Sequence, residues 1–346
     1  MSQKYIYNAN IFESQKSILE EYHAEHVFLV HGRKSYEECR AKWVVNMLQE
    51  VNQFRLTEFA DFSANPKIEE VEVGVIEIMK AKPDLLLVIG GGSAIDTAKL
   101  IRHNAAEKGL KVPLCAVPTT AGTGAEATHF AVVYQSGVKT SIEADDILPD
   151  VAILYPPFTY GNSAYLTACT GFDALAQAIE AFWNPNATDE SKQYSVKAIG
   201  MIYKQLPKCI AHPEQTSLRD ELLQGAYWAG RAINITKTTA PHAFSYTFTS
   251  KYGYPHGHAV ALTFPFFMKL NGSQELYDLL GFLSTNVINE MEAYISSLGL
   301  SLQLNPSVDI PKVLKEVNLQ RLTNNPIAVT QRVKKELELY LNGKIY

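Results

Sequence analysis

The 346-residue chain holds only four cysteines, Cys39, Cys115, Cys169 and Cys209, and none forms a CxxC pair. That spacing excludes a thiolate zinc knuckle or a disulfide framework, and a reduced, cytoplasmic setting is expected. No apolar run reaches the roughly 18 residues of a membrane span, so none is expected. The opening residues Met1-Ser-Gln-Lys-Tyr5 carry no apolar signal core. Positive charge is not in excess either. The formal net charge is −5, so nucleic-acid binding has no global electrostatic support. Neither a GxGxxG nor a Walker A loop occurs, and internal repeats and low-complexity tracts are missing. With 47% hydrophobic residues, the chain has ample material for a core, and its length suggests two domains.

The first part alternates short apolar runs with helical patterns. His26–Val30, Thr57–Ala60, Asp84–Ile89 and Leu114–Val117 read as strands. Tyr36–Val51, Ile68–Lys80 and Ala94–Glu107 read as helices between them. Such alternation predicts a parallel sheet with helices on both faces. After Pro156-Pro157 the strand-like runs nearly vanish. Helices are expected at Ala174–Trp183, Asp189–Leu206, Leu218–Ile233, Ala240–Thr249 and Glu290–Leu298. A boundary near residue 158 therefore separates an α/β domain (1–158) from an all-helical one (159–346). The stretch after Asn271 carries no interpretable motif.

Two loops suit a nucleotide. Asp84-Leu-Leu-Leu-Val-Ile89 runs into Gly90-Gly91-Gly92-Ser93 and then a helix holding Asp96 and Lys99. Glycines let a backbone approach a pyrophosphate, and a helix N-terminus supplies amide donors and a favourable dipole. After the next strand comes Pro118-Thr119-Thr120-Ala-Gly122-Thr123-Gly124-Ala-Glu126. Each alone also reads as an ordinary turn; two on successive strands point to a shared ligand.

A metal constellation lies in the second part. His242 and His256 stand fourteen residues apart, each preceded by proline. In Gly171-Phe-Asp173-Ala-Leu-Ala-Gln177, Asp173 and Gln177 share one helix face at i and i+4. A carboxylate, an amide oxygen and two imidazoles make a four-ligand set for iron or zinc. Singly, Asp173 also reads as a helix cap, Gln177 as a satisfied buried amide, and either histidine as a core residue. Metal plus nucleotide indicates redox chemistry on a carbonyl.

Over nearly its whole length the chain resembles the iron-containing (group III, metal-dependent) alcohol dehydrogenases. The resemblance rests on Gly90–Lys99, Pro118–Glu126, Gly171–Ala181 and Pro255-His-Gly257, in that order. It implies a Rossmann-like nucleotide domain followed by an all-α domain, the dehydroquinate synthase-like architecture. The implied metal ligands are Asp173, Gln177, His242 and His256. Gln177 departs from the family's usual histidine, and Tyr246 stands where many members carry another histidine. The implied nucleotide contacts are Asn65, Gly91, Gly92, Ser93, Asp96, Thr119, Thr120, Thr123 and Lys139. Gly32 takes the place of an aspartate found in NAD-preferring members, and Arg33 and Lys34 follow it. That exchange suits a 2′-phosphate, hence NADP(H), with NAD(H) as the alternative. Relatives are often homodimers.

The segment before His242 carries Arg231, Asn234 and Lys237, a cluster suited to an anionic substrate group. Its wording resembles the phosphonoacetaldehyde reductase branch of the family. The expected reaction reduces phosphonoacetaldehyde to 2-hydroxyethylphosphonate with Fe²⁺ or Zn²⁺ assistance. Its proton would arrive through Tyr246, His258, the ribose hydroxyls or water. Alternatives are another small alcohol or aldehyde of the same family, a dehydroquinate-synthase-like lyase, or a metal-free nucleotide sensor.

Overall fold

The computed structural model describes residues 3–7, 10–136, 138–317 and 319–344. The chain divides into two compact units, Met1–Asn162 and Ser163–Tyr346. In the first, the strands are β1 (Lys4–Tyr7), β2 (His26–His31), β3 (Arg55–Phe59), β4 (Leu85–Gly90), β5 (Leu114–Pro118), β6 (Phe130–Gln135), β7 (Val138–Glu143) and β8 (Val151–Leu154). Its helices are α1 (Ile11–Glu21), α2 (Arg33–Glu38), α3 (Ala41–Asn52), α4 (Ile68–Ala81) and α5 (Gly92–Glu107). Six strands form a parallel sheet in the order β1-β8-β5-β4-β2-β3, and β6 and β7 make a separate antiparallel hairpin.

The expected parallel α/β architecture is present, and its physical basis is visible strand by strand. Phe28, Val30, Leu86, Val88, Leu114 and Ala116 face one helical layer with Val71, Val75, Ile95 and Ile101. The alternate residues Val27, Leu29, Leu85, Leu87, Cys115 and Val117 pack with Ile18, Val45 and Leu48 on the other face. Both faces are covered, so the central strands read as continuous apolar runs. The order in which strands are added reverses between neighbours β2 and β4, the switch point at whose carboxyl end ligands bind in open sheets of this kind.

The expected single helix over Tyr36–Val51 is instead two, α2 and α3. Arg40 between them lies in the left-handed region at φ 64°, which interrupts the ladder. The hairpin β6–β7 and strands β1 and β8 carried no clear sequence signal.

The second unit is helical throughout its described residues, as expected. It comprises α6 (Ala164–Trp183), α7 (Asp189–Ile202), α8 (Gln205–Ala211), α9 (Thr216–Thr236), α10 (Ala240–Tyr252), α11 (His256–Ala261), α12 (Phe264–Asn271), α13 (Gln274–Leu280), α14 (Val287–Ser297), α15 (Ile310–Lys315), α16 (Leu319–Leu322) and α17 (Gln331–Leu341). The long α6 is capped by the Ser163 hydroxyl, which accepts from the Leu166 amide at 3.2 Å. It is the unit's buried axis: every residue from Gly171 to Trp183 is buried. The run expected as one helix over Asp189–Leu206 ends at Ile202 and resumes as α8. Among the described residues no helix is long and apolar enough to cross a membrane.

Candidate active site

In the second unit, α6 turns Asp173, Gln177 and Glu180 onto one face, at i, i+4 and i+7. Asp173 is 2% exposed, and α10 and α11 bring two imidazoles to it. His242 Nε2 lies 3.1 Å from Asp173 Oδ1, and His256 Nε2 lies 3.8 Å from the same oxygen. Ligand atoms of Asp173, His242 and His256 all fall within 4.8 Å of one another.

The outer nitrogens are held as well. His242 Nδ1 donates to Glu180 Oε2, while Glu180 Oε1 accepts from the Thr239 amide (2.9 Å) and hydroxyl (2.7 Å). Ser245 Oγ donates to the His242 carbonyl at 2.7 Å, so it faces His256 Nδ1 (3.3 Å) as an acceptor. Both rings are thereby held at Nδ1 by an outer acceptor and turn Nε2 toward Asp173, the orientation in which a metal can replace the Nε2 proton. Burial works against protonation of His242. The flanking carboxylates of Glu180 and Asp173 outweigh it and push its pKa up to about 9.

This donor set fits a divalent transition metal: one carboxylate and two imidazole Nε2 atoms, with an outer carboxylate orienting a ring. Gln177 lies one turn along α6 from Asp173 and is buried with it. Close packing of α11 on α6 depends on Gly257. A Cβ there would fall 1.9 Å from the Cys169 carbonyl oxygen and 3.0 Å from Asp173 Cβ.

The remaining expected residues are placed variously. Tyr246, one turn after His242 on α10, stacks on His256 with ring centres 6.0 Å apart. His258 is buried, with Nε2 donating to the Ser301 carbonyl (2.7 Å) and Nδ1 facing the Tyr165 hydroxyl (2.9 Å). Its contacts thus differ from those of the Asp173 cluster. Arg231 lies among α7 and α9 aromatics: 3.4 Å from the hydroxyls of Tyr227 and Tyr194, and 5.2 Å from the Tyr194 ring centre. Asn234 is half-buried on α9. Lys237 follows at φ 64°, ψ 177°, a conformation that L side chains rarely adopt. Glu180, Ser245 and Thr239 were missed at the sequence level, as was Asn325. The Asn325 amide oxygen accepts from the Ala240 amide at 3.4 Å, where α10 begins.

The first unit gathers three loops at the carboxyl ends of β2, β4 and β5. A Cβ on Gly90 would lie 3.5 Å from the Gly32 amide nitrogen. One on Gly91 would meet Thr120 Oγ1 at 3.3 Å, and one on Gly92 would meet Thr123 Oγ1 at 2.7 Å. The glycines thus keep the loops in contact and open the backbone of the α5 N-terminus. The Thr119 hydroxyl is buried with no hydrogen-bond partner among protein atoms, which fits a crevice that donates to a ligand. Ser93 Oγ donates to the Ala64 carbonyl at 2.5 Å, holding the Asn65 segment beside α5.

Asp96 does different work. Its carboxylate accepts from the Val132 amide (3.0 Å) and lies 3.8 Å from Lys99 Nζ. Lys99, wholly buried, donates to the carbonyls of Ala125 and Phe130 and to the Thr128 hydroxyl. Burial lowers its pKa to about 8. Together they fasten the second loop and the hairpin to α5. Lys139 sits in that hairpin, in register with Tyr134. Arg33 pairs with Asp61 and donates from Nε to the Ala60 carbonyl (3.1 Å), while Lys34 lies 3.6 Å from Glu38.

A nucleotide-type crevice in one unit and a carboxylate–imidazole cluster in the other mark a metal-dependent dehydrogenase. The chain belongs to the iron-containing alcohol dehydrogenase family: "Iron-containing alcohol dehydrogenase" matches residues 2–156, and its C-terminal counterpart matches residues 167–338. It is an oxidoreductase of the alcohol–aldehyde type, in a family that uses a nicotinamide dinucleotide and a divalent metal. A curated relative is the long-chain-alcohol dehydrogenase 1 of Geobacillus thermodenitrificans, 30% identical over 78% of this chain and 75% of that one. The sulfoacetaldehyde reductase of Bifidobacterium kashiwanohense, solved with NAD⁺, superposes with TM-score 0.90 at 26% identity, over 99% of this chain and 98% of that one. An iron-containing alcohol dehydrogenase of Thermococcus thioreducens shares the fold with TM-score 0.88 at 24% identity, over 99% of both chains.

Proposed function

We propose that the protein reduces a small aldehyde with an anionic tail, converting phosphonoacetaldehyde to 2-hydroxyethylphosphonate, with NADPH as reductant. The observation that carries the reading is the Asp173–His242–His256 cluster, with each imidazole held at Nδ1 by an outer partner and turned with Nε2 toward Asp173. Asp173, His242 and His256 would hold Fe²⁺ or Zn²⁺, with the Gln177 amide oxygen as a fourth ligand. When bound, the metal supplies Lewis-acid polarisation of a carbonyl oxygen and the reduced nicotinamide supplies the hydride.

The chain's own residues do the rest. Glu180 holds His242 Nδ1 and so keeps Nε2 facing Asp173. Tyr246, stacked on His256, carries a hydroxyl that would pass a proton to the product oxygen. Lys237 and Arg231, the latter held by its two tyrosines, would supply the positive charge that favours an oxyanion, with the Asn234 amide as a neutral donor. Gly32, where a carboxylate would repel a 2′-phosphate, supports NADPH. Arg33 and Lys34 would exchange Asp61 and Glu38 for that phosphate. A cytoplasmic homodimer completes the reading.

A sulfonate tail is the second reading. The Bifidobacterium protein is named for a two-carbon aldehyde bearing that oxyanion. The test measures oxidation of NADPH and NADH with phosphonoacetaldehyde, sulfoacetaldehyde and propanal, using enzyme loaded with Fe²⁺ or Zn²⁺ or stripped by chelator. Metal-dependent turnover that favours the phosphonate and NADPH is expected. Preference for the sulfonate would select the second reading. Turnover of propanal alone would leave the family assignment and remove the anionic tail.

A further inference from the structure

Arg321 lies on α16, in the stretch that carried no motif. Its Nη1 donates to the Tyr246 hydroxyl at 2.5 Å, and its guanidinium carbon is 4.7 Å from the Tyr246 ring centre. Tyr246 is one turn after His242, and its ring lies nearly parallel, at 20°, to the imidazole of His256. One aromatic side chain therefore has a metal-type histidine against it and a guanidinium over it.

The segment holding Arg321 is fastened to the site. Asn324 Nδ2 donates to the Thr238 carbonyl (3.4 Å), and Asn325 receives the Ala240 amide. They tie the turn after α16 to Thr238 and Ala240, which follow Lys237 and open α10. The turn that follows Arg321 thus packs on the residues between Lys237 and α10, while Arg321 itself reaches Tyr246 within α10.

We propose that Arg321 is a specificity-determining residue that contacts the anionic tail of the aldehyde, a tetrahedral oxyanion one carbon from the carbonyl. This rests on the anionic-aldehyde reading above. The guanidinium is a planar fork that matches two oxygens of a phosphonate or sulfonate at once. Tyr246 fixes that fork by hydrogen bond and ring contact, so little side-chain freedom is lost on binding. The shared chemistry is the tetrahedral oxyanion, and the two aldehydes distinguish its source.

The test compares metal-loaded wild type, Arg321→Leu, Arg321→Lys and Tyr246→Phe. Steady-state rates are taken with phosphonoacetaldehyde, sulfoacetaldehyde and propanal. Calorimetric binding of 2-hydroxyethylphosphonate and of its sulfonate analogue is measured on metal-stripped protein. In Arg321→Leu, kcat/KM for the preferred anionic aldehyde should fall, through KM, roughly 100-fold more than for propanal. Binding of the matching product should weaken in parallel, and Arg321→Lys should recover part of the loss. Equal losses for all three aldehydes in Arg321→Leu and Tyr246→Phe would reduce Arg321 to a brace for Tyr246 and overturn the proposal. Wild type that prefers an anionic aldehyde, with Arg321→Lys and Arg321→Leu keeping that preference, would overturn the Arg321 assignment while the anionic reading stands. No anionic preference in wild type would overturn both. Arg321→Lys keeps the test open if the leucine variant does not fold.

Discussion

Glu180 takes the Nδ1 proton of His242 on one oxygen and both donors of Thr239 on the other. The carboxylate therefore serves three donors and offers none of its own. Glu180→Gln would replace one acceptor oxygen with an NH₂ group, which must face either His242 Nδ1–H or Thr239. The first choice reverses the imidazole tautomer; the second loosens the N-terminus of α10. Either outcome should weaken metal retention about 10- to 100-fold, the usual loss when an outer partner of a ligating histidine is removed. Chelator competition monitored by metal content measures it. Unchanged retention would show that Glu180 does not orient His242.

Gly257 determines whether His256 can reach the cluster at all. The Cys169 carbonyl occupies the space of any Cβ at this position, and a backbone oxygen on the buried α6 cannot retreat as a flexible side chain can. Gly257→Ala should displace α11, lower thermal stability by about 2 kcal/mol or more, and abolish stoichiometric metal binding. A stable, fully metallated alanine variant would contradict this packing of α11 on α6.

The fold was legible where composition and spacing act together. Leu85–Ile89 running into three glycines announced β4 and the α5 N-terminus, and covered strands need no alternation to be recognised. Asp173, His242 and His256 were legible because proline-flanked histidines and an i, i+4 pair are unusual. Glu180 was not, since a glutamate on a helix commonly faces solvent; its signal was the third step of the Asp173–Gln177 face. Arg321 and Asn325 act across at least 75 residues of chain, so no local pattern reports them. The break at Arg40 was hidden because arginine is a good helix former, and its residue type gives no sign of the left-handed backbone it adopts.

Lys237 stands where glycine would be comfortable. Holding a non-glycine residue at φ 64°, ψ 177° costs about 1–3 kcal/mol, a strain that function can justify. Lys237→Gly should therefore stabilise the protein by about 1 kcal/mol, part of the relief being offset by the greater freedom of glycine in the unfolded chain. At the same time it should raise KM for an anionic aldehyde far more than for propanal. Thermal melts beside steady-state kinetics read both effects. Higher stability with unchanged discrimination would leave the strain unexplained by substrate binding.

Glu126 gives the first unit a pH signature. It is 2% exposed; burial drives its pKa upward, its own backbone amide and Lys99 pull it down, and Asp96 raises it again, to about 7 from an ordinary 4.5. The folded state thus holds this proton more tightly than the unfolded chain between those values. Its stabilising contribution is complete below about 4.5 and disappears as pH rises through about 7. Lys99, with its pKa near 8, remains charged across this window and adds no slope there. Glu126→Gln keeps the shape and removes the titration. Relative to wild type, it should flatten the dependence of Tm on pH between 4.5 and 7 and be the more stable protein above that window. Parallel wild-type and variant curves would show that the Glu126 carboxyl titrates alike in the folded and unfolded chain, and hence that its surroundings are better solvated than the packing of α5 against the second loop implies.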